Sequence, residues 1–153
     1  MTRSTANRLQ QQHETLYTIL EHQGPQDLLR RPAPDTWSLL ENVAHLAAYQ
    51  QVFAKRVARI LTEDNPSFAA YIGDQDPNFL AARDLPLEDL LTDLSADRLY
   101  LHDWIISLDP LQLAREATHP KYGTRTLSLW TEFFLLHKAH HLFTMWKLLE
   151  NRT

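Results

Sequence analysis

Apolar residues recur at three- and four-residue spacing along four stretches of this chain, the period of a helix that buries one face. The first stretch predicts a helix over 5–21, ended by Gly24-Pro25, a pair that breaks helical hydrogen bonding. Pro32 and Pro34 keep the next segment extended until a second helix starts near Trp37. There Ser38, followed three residues later by Glu41, reads as a capping box, and the helix runs to about residue 61. Residues 62–85, punctuated by Pro66, Gly73 and Pro77, read as a long connection holding at most a short helix over 68–72. Pro86 opens a third helix, whose Leu87, Leu90, Leu94, Leu101, Ile105 and Leu108 share one side, and Asp109-Pro110 closes it. Residues 111–126 read as a loop with one turn of helix, and a fourth helix occupies 127–150. The economical architecture is an all-α four-helix bundle in one domain over 1–153, with the long connection between helices 2 and 3.

Composition agrees and removes several function classes. Three glycines against abundant Leu, Ala, Gln, Glu and Arg favour helix, because the long straight side chains lose little rotamer freedom there. A net charge of -4, with 15 dispersed basic residues, gives no electrostatic basis for a nucleic-acid partner. Without cysteine the chain has no disulfide, no thiolate ligand and no thiol nucleophile, so any metal is held by nitrogen and oxygen. The N-terminal stretch lacks the apolar run of a signal peptide, and no segment approaches the roughly 18 uninterrupted apolar residues of a membrane span. A cytoplasmic protein with no membrane partner is the expectation.

The chemistry concentrates in histidines. His137 and His141 stand four apart within the apolar series Leu127, Trp130, Phe134, Met145 and Leu148, so both point inward from one helix face, with Cβ atoms about 6 Å apart. Buried imidazoles need hydrogen bonds, charge partners or a metal; a core histidine bonded to a nearby hydroxyl or carbonyl is the plain alternative. His45 lies at the margin of the second helix's apolar stripe, where it could be a third ligand or simply a polar residue at a helix boundary. His140 is a supporting donor or an alternative ligand, and equally an exposed helix residue. His13, His22 and His102 read as ordinary polar positions. His119, in the predicted loop, could approach a substrate at the bundle mouth. H-E-x-x-H, G-x-S-x-G, Walker A and G-x-G-x-x-G are absent, and the single E-x-x-H spacing, Glu116 to His119, falls in a Pro-bounded loop.

Two blocks then carry a family resemblance: D-T-W-S-L-L-E-N-V-A-H-L at 35–46 and F-F-L-L-H-K-A-H-H-L at 133–142. In order and separation they resemble the motif blocks of the DinB-like superfamily, as do H-P-K-Y-G at 119–123 and the Leu127-x-x-Trp130 that follows. The resemblance implies an up-down-down-up topology and a homodimer. It assigns His45, His137 and His141 to a divalent metal (Zn, Ni, Mn or Fe). It also implies a thiol cosubstrate, since superfamily members include transferases and isomerases that use bacillithiol, mycothiol or glutathione. Three neutral imidazoles leave a cation its full charge, which lowers the pKa of an acidic ligand such as a thiol or water. Transfer of a low-molecular-weight thiol to an electrophile is the expected reaction; metal-assisted hydrolysis and non-catalytic binding are the alternatives. Tyr49 and Trp130 are candidates to line the pocket, and Glu41 to act as a base or as a hydrogen-bond acceptor beside the ligands, although its capping box accounts for it more simply.

Overall fold

In the computed structural model, which describes residues 1–150, the first amphipathic stretch forms two helices, α1 (Arg3–Gln11) and α2 (Glu14–Leu20). The single helix expected over 5–21 is interrupted at Gln12 and His13, inside a stretch with no apolar residue between Leu9 and Leu16. At the break Gln12 turns its side-chain amide to the Leu135 carbonyl (3.2 Å). His13, expected to be an ordinary polar residue, is buried there. A short helix α3 (Pro25–Leu29) precedes the long α4 (Leu39–Thr62). Ser38 caps α4 as its sequence implies: Ser38 Oγ accepts from the Glu41 N–H (3.2 Å), and Glu41 Oε2 accepts from the Ser38 N–H (2.9 Å).

Side-chain pairings set the helix directions. Gln50 and Gln51 of α4 reach Leu94 and Asp97 of α6 (Leu87–Ile106), so these two helices run parallel. Asn42 meets His141, and Phe53 stacks on Phe134 with ring centroids 4.4 Å apart, so α4 is antiparallel to α8 (Leu127–Glu150). Arg8 binds Glu132 while Gln12 reaches Leu135, so α1 runs with α8. The result is a four-helix bundle in up-down-down-up order. One apolar cluster gathers Leu16, Ile19, Val43, Leu90, Leu94, Leu142 and Met145, and a second gathers Leu9, Phe53, Val57, Leu101, Ile105, Trp130 and Phe134. Between them in chain order lie His13, Gln50, Arg98 and Lys138, all buried, a polar layer across the bundle. Burial, and then the charge of Arg98, pulls Lys138 down to about 8.

Parallel α4 and α6 oblige the intervening chain to return along the whole bundle, which residues 63–86 do. The helix expected over 68–72 does not form. Phe68 instead inserts into the core, and its backbone bonds to the hairpin, with the Phe68 N–H donating to the Thr118 carbonyl (2.8 Å) and the Thr118 N–H to the Pro66 carbonyl (3.0 Å). A 3-10 turn, Gly73–Gln75, leads to α5 (Pro77–Ala82), where Asp76 accepts from the Asn78 N–H (3.0 Å) and Pro77 occupies the first helical position.

The segment 111–126 is also richer than a loop with one helical turn. Helix α7 (Pro110–Leu113) is followed by an antiparallel hairpin, β1 (Glu116–His119) with β2 (Gly123–Thr126), registered from Glu116 opposite Thr126 to His119 opposite Gly123. Gly123 has φ +70°, the left-handed conformation that ends a three-residue hairpin loop. These strands of four residues present only Ala117 and His119 to the interior, too few positions for a strand period to stand out. Among the described residues no helix is long and apolar enough to cross a membrane.

Candidate metal centre

The antiparallel register of α4 on α8 brings His45 against His137 and His141. His45 Nε2 lies 3.2 Å from His137 Nε2, and one nitrogen from each of the three rings falls within 4.8 Å of the others. Two nitrogens on a tetrahedral ion with bonds near 2.0–2.1 Å are separated by about 3.3 Å. The donor set is nitrogen alone, which suits borderline divalent ions better than the oxygen-seeking magnesium or calcium.

His141 is oriented by a residue that the motif reading passed over. Its Nδ1 donates to Asn42 Oδ1 (2.9 Å), and the Asn42 amide is itself fixed, since Nδ2 donates to the Ser38 carbonyl (2.8 Å). With the proton on Nδ1, the His141 Nε2 lone pair is free for a cation, the usual role of such an acceptor behind a metal-binding imidazole. The available signal was position: Asn42 precedes His45 by one helical turn.

His45, at the margin of the apolar stripe of α4, is nonetheless enclosed and only 3% exposed. The crossover lies over it, and Trp37, Tyr71 and Phe79 place their rings 4.7, 5.7 and 6.2 Å from its own. Trp37 is held by its indole N–H, which donates to Asp74 Oδ1 (2.9 Å), and Tyr71 by its hydroxyl, which donates to Asp76 Oδ2 (2.9 Å). Gly73 is where this cover comes closest. A Cβ there would stand 2.7 Å from Trp37 and 3.1 Å from His45 Nδ1, so only glycine lets the chain pass.

The DinB superfamily model matches residues 8–145, a span that includes the capped start of α4 and all three histidines. The chain belongs to the DinB superfamily. Its fold is similar to that of YfiT from Bacillus subtilis, described as a probable metal-dependent hydrolase with an unusual four-helix bundle topology. That likeness has TM-score 0.84 and 18% identity over 97% of this chain and 87% of that one. It is also similar to TT2238, a four-helix bundle protein, with TM-score 0.69 and 23% identity over 94% of this chain and 97% of that one. No curated protein matches the sequence.

In this DinB bundle the remaining candidates separate. Tyr49 stands beside the cluster, its ring 4.1 Å from that of His137, and its phenol accepts from Arg56 Nη1 (3.4 Å). Trp130 does not line the pocket: it is 3% exposed, packs near Phe68, and donates its indole N–H to the Ala117 carbonyl (3.1 Å). Its place in the fourth-helix series had two readings, and the hairpin that buries it was not visible in the sequence. Glu41 is no base for this site, because its carboxylate is engaged in the α4 cap and forked by Arg31, whose Nε donates to Oε2 (2.9 Å). His140 is exposed and touches His141 edge-on, with centroids 5.2 Å apart. His119, the loop histidine of the sequence, is 5% exposed and lines a cavity that reaches His137.

Burial, and then the charge of neighbouring histidines, lowers all three imidazoles from the usual 6.5: His45 to about 2, His137 to about 3 and His141 to about 4. At neutral pH the cluster is therefore uncharged and ready to coordinate. The Nδ1 atoms of His45 and His137 are buried without a partner among the described residues, while the Nε2 atoms of the same rings face each other.

Two outcomes follow. Each folded-state pKa lies below its unfolded value, so the unfolded chain takes up protons that the native chain refuses. The stability of metal-free protein is thus fully present above pH 6.5 and is lost as pH falls from 6.5 toward 4 and below, read as a falling melting temperature against pH. Asn42→Ala should weaken metal binding by roughly 10- to 100-fold in a competition titration against a chromogenic chelator. Unchanged affinity would remove Asn42 from the site.

Proposed function

We infer that this chain is a metal-dependent enzyme that transfers a low-molecular-weight thiol to an electrophilic small molecule. The observation that carries the reading is that two separate cavities reach the triad at different ligands. One, about 400 Å³, is lined by Trp37, Asn42, Asp74, His140 and His141, and the other, about 230 Å³, by Tyr49, Arg56, Tyr71, His119 and His137. They share no lining residue, which suits a reaction between two organic molecules meeting at one centre.

His45, His137 and His141 would hold the ion, and Asn42 would keep His141 in its coordinating tautomer. When bound, a divalent ion supplies the Lewis acidity that turns a thiol into a thiolate at neutral pH. The cysteine-free chain leaves the sulfur to the cosubstrate. In the transfer the thiol proton leaves to solvent, sulfur forms the new bond to carbon, and the leaving group departs with its bonding pair. Trp37, Tyr71 and Phe79 exclude water from the His45 side. Tyr49 accepts from Arg56, which leaves its own hydroxyl hydrogen to donate toward a substrate, and burial raises its pKa so that it stays protonated. The second reading, hydrolysis with water as the nucleophile, is favoured by the likeness to YfiT.

A homodimer is part of the proposal. Leu129, Leu136 and Phe143 recur every seven residues on α8 and are 52, 63 and 57% exposed, with Trp146 beside them at 44%. An apolar stripe of this kind on a soluble bundle is suited to a second copy.

Elemental analysis of untagged protein should find stoichiometric metal in the wild type and in Glu41→Ala, but not in His137→Ala. A screen of thiols against electrophiles should then yield conjugates that vanish on chelation and return on reloading. Conjugation at the same rate without metal would sink the reading, and metal-dependent ester cleavage without thiol would install the second one. Leu136→Glu should halve the mass seen by light scattering, whereas a monomeric wild type would end the dimer proposal.

A further inference from the structure

The cavity beside His137 has a composition that the metal chemistry does not require. Its wall carries Arg56 and Lys121, the imidazole of His119, and the rings of Tyr49, Tyr71, Tyr122 and Phe133, and no carboxylate lines it. Asp76, the acid bound to the Tyr71 hydroxyl, lines a separate cavity.

Arg56 is fixed in place without being neutralised. Its guanidinium lies 5.0 Å from the Phe68 ring centroid. Among the described residues its protein acceptors are Tyr49 Oη (3.4 Å) and the Ala69 carbonyl (3.0 Å), and neither is charged. Two of five N–H groups are therefore bonded, and a planar fork remains for an incoming acceptor. His119 adds a defined donor. Its Nδ1 accepts the Lys121 N–H (3.1 Å), so in the neutral ring the proton resides on Nε2. The hairpin loop that supplies this bond also supplies Lys121, whose ammonium lies 5.5 Å from the Tyr122 ring centroid. A half-enclosed, aromatic-walled space with two cations and no anion attracts a negative group on a flat apolar body, since low-dielectric walls strengthen the attraction.

We propose that the cavity formed by Arg56, His119, Lys121 and the three tyrosines is a subsite for an oxyanion group, carboxylate or phosphate, of the molecule whose reactive end meets His137. This rests on the reading of the triad as a metal-dependent site. It adds the substrate class: an organic anion, with the charged group on the hairpin side and the reacting atom toward the histidines. Arg56 would bind the oxyanion with its fork, His119 would position it with one N–H, and Lys121 would draw it in from solvent.

The test uses metal-free full-length protein, so that an anion cannot register by ligating the ion. Benzoate and phenyl phosphate are the probes, with benzyl alcohol and benzylamine as neutral and cationic controls, followed by calorimetry and by NMR shifts of the His119 and Tyr122 ring signals. Binding of one or both anions is expected, with the preferred one naming the group, and neither control should bind. Arg56→Met and Lys121→Met should each weaken binding at least tenfold. Arg56→Lys, which keeps the charge and the fold but loses the fork, should fall between wild type and Arg56→Met. Lys121 is exposed, so its variant guards against an Arg56 variant that fails to fold. Anion binding indifferent to both substitutions, equal binding of benzyl alcohol, or shifts confined to His140 and His141 would overturn the proposal. Metal content is measured on the same samples. Stoichiometric metal without anion binding would fail the subsite and leave the metal reading standing; anion binding without metal uptake would do the reverse.

Discussion

The register between α4 and α8 governs the chemistry of this molecule. One helical turn of slippage, about 5.4 Å, would carry His45 out of range of one of the other two imidazoles and break the three-way meeting. That register is held on both sides of the histidines: Phe53 stacks on Phe134 further along the bundle, and Asn42 bonds His141 at the other end. Aromatic packing and a buried hydrogen bond thus fix the same alignment, and both are lost together if the helices slide. Among the described residues none of the three rings is paired with a carboxylate; His141 gives its Nδ1 proton to Asn42, and one nitrogen of each ring is turned to a shared space where a cation offsets the close approach of lone pairs.

A second constraint comes from topology. Because α4 and α6 run parallel, the connecting chain must retrace the bundle, and its path crosses the histidines. That path makes His45 a buried residue and supplies Tyr71 and Phe79 to its surroundings. It narrows at Gly73, where any side chain would collide with Trp37. The same connection pairs with the hairpin at Ser67 and Thr118, which brings His119, Lys121 and Tyr122 over the cavity beside His137. The long link of this bundle is therefore a wall of its site.

Much of this was legible from the chain alone where the signal is local. The Ser38 and Glu41 box places the start of α4, and the i, i+4 spacing of His137 and His141 puts both on one face, because a cap and a helical face depend only on residues within one turn. The short hairpin strands had no comparable signal. Phe68 read as the start of a helix because an apolar cluster does not reveal whether it packs on its own turn or on a distant strand. The break in the first helix was visible only as a polar run, Gln10 to Glu14, which a surface helix also tolerates.

Periodicity and motif order determined four helices and a histidine pair facing inward, since both follow from backbone geometry over a few residues. Only the folded chain decided that Asn42 orients His141, that Glu41 is held by Arg31 away from the triad, and that Trp130 belongs to the core. It alone decided that Arg56 and a hairpin histidine share a cavity. Those placements depend on contacts between residues ten or more positions apart, on different elements, and such contacts are set by how whole elements pack, which no local pattern encodes.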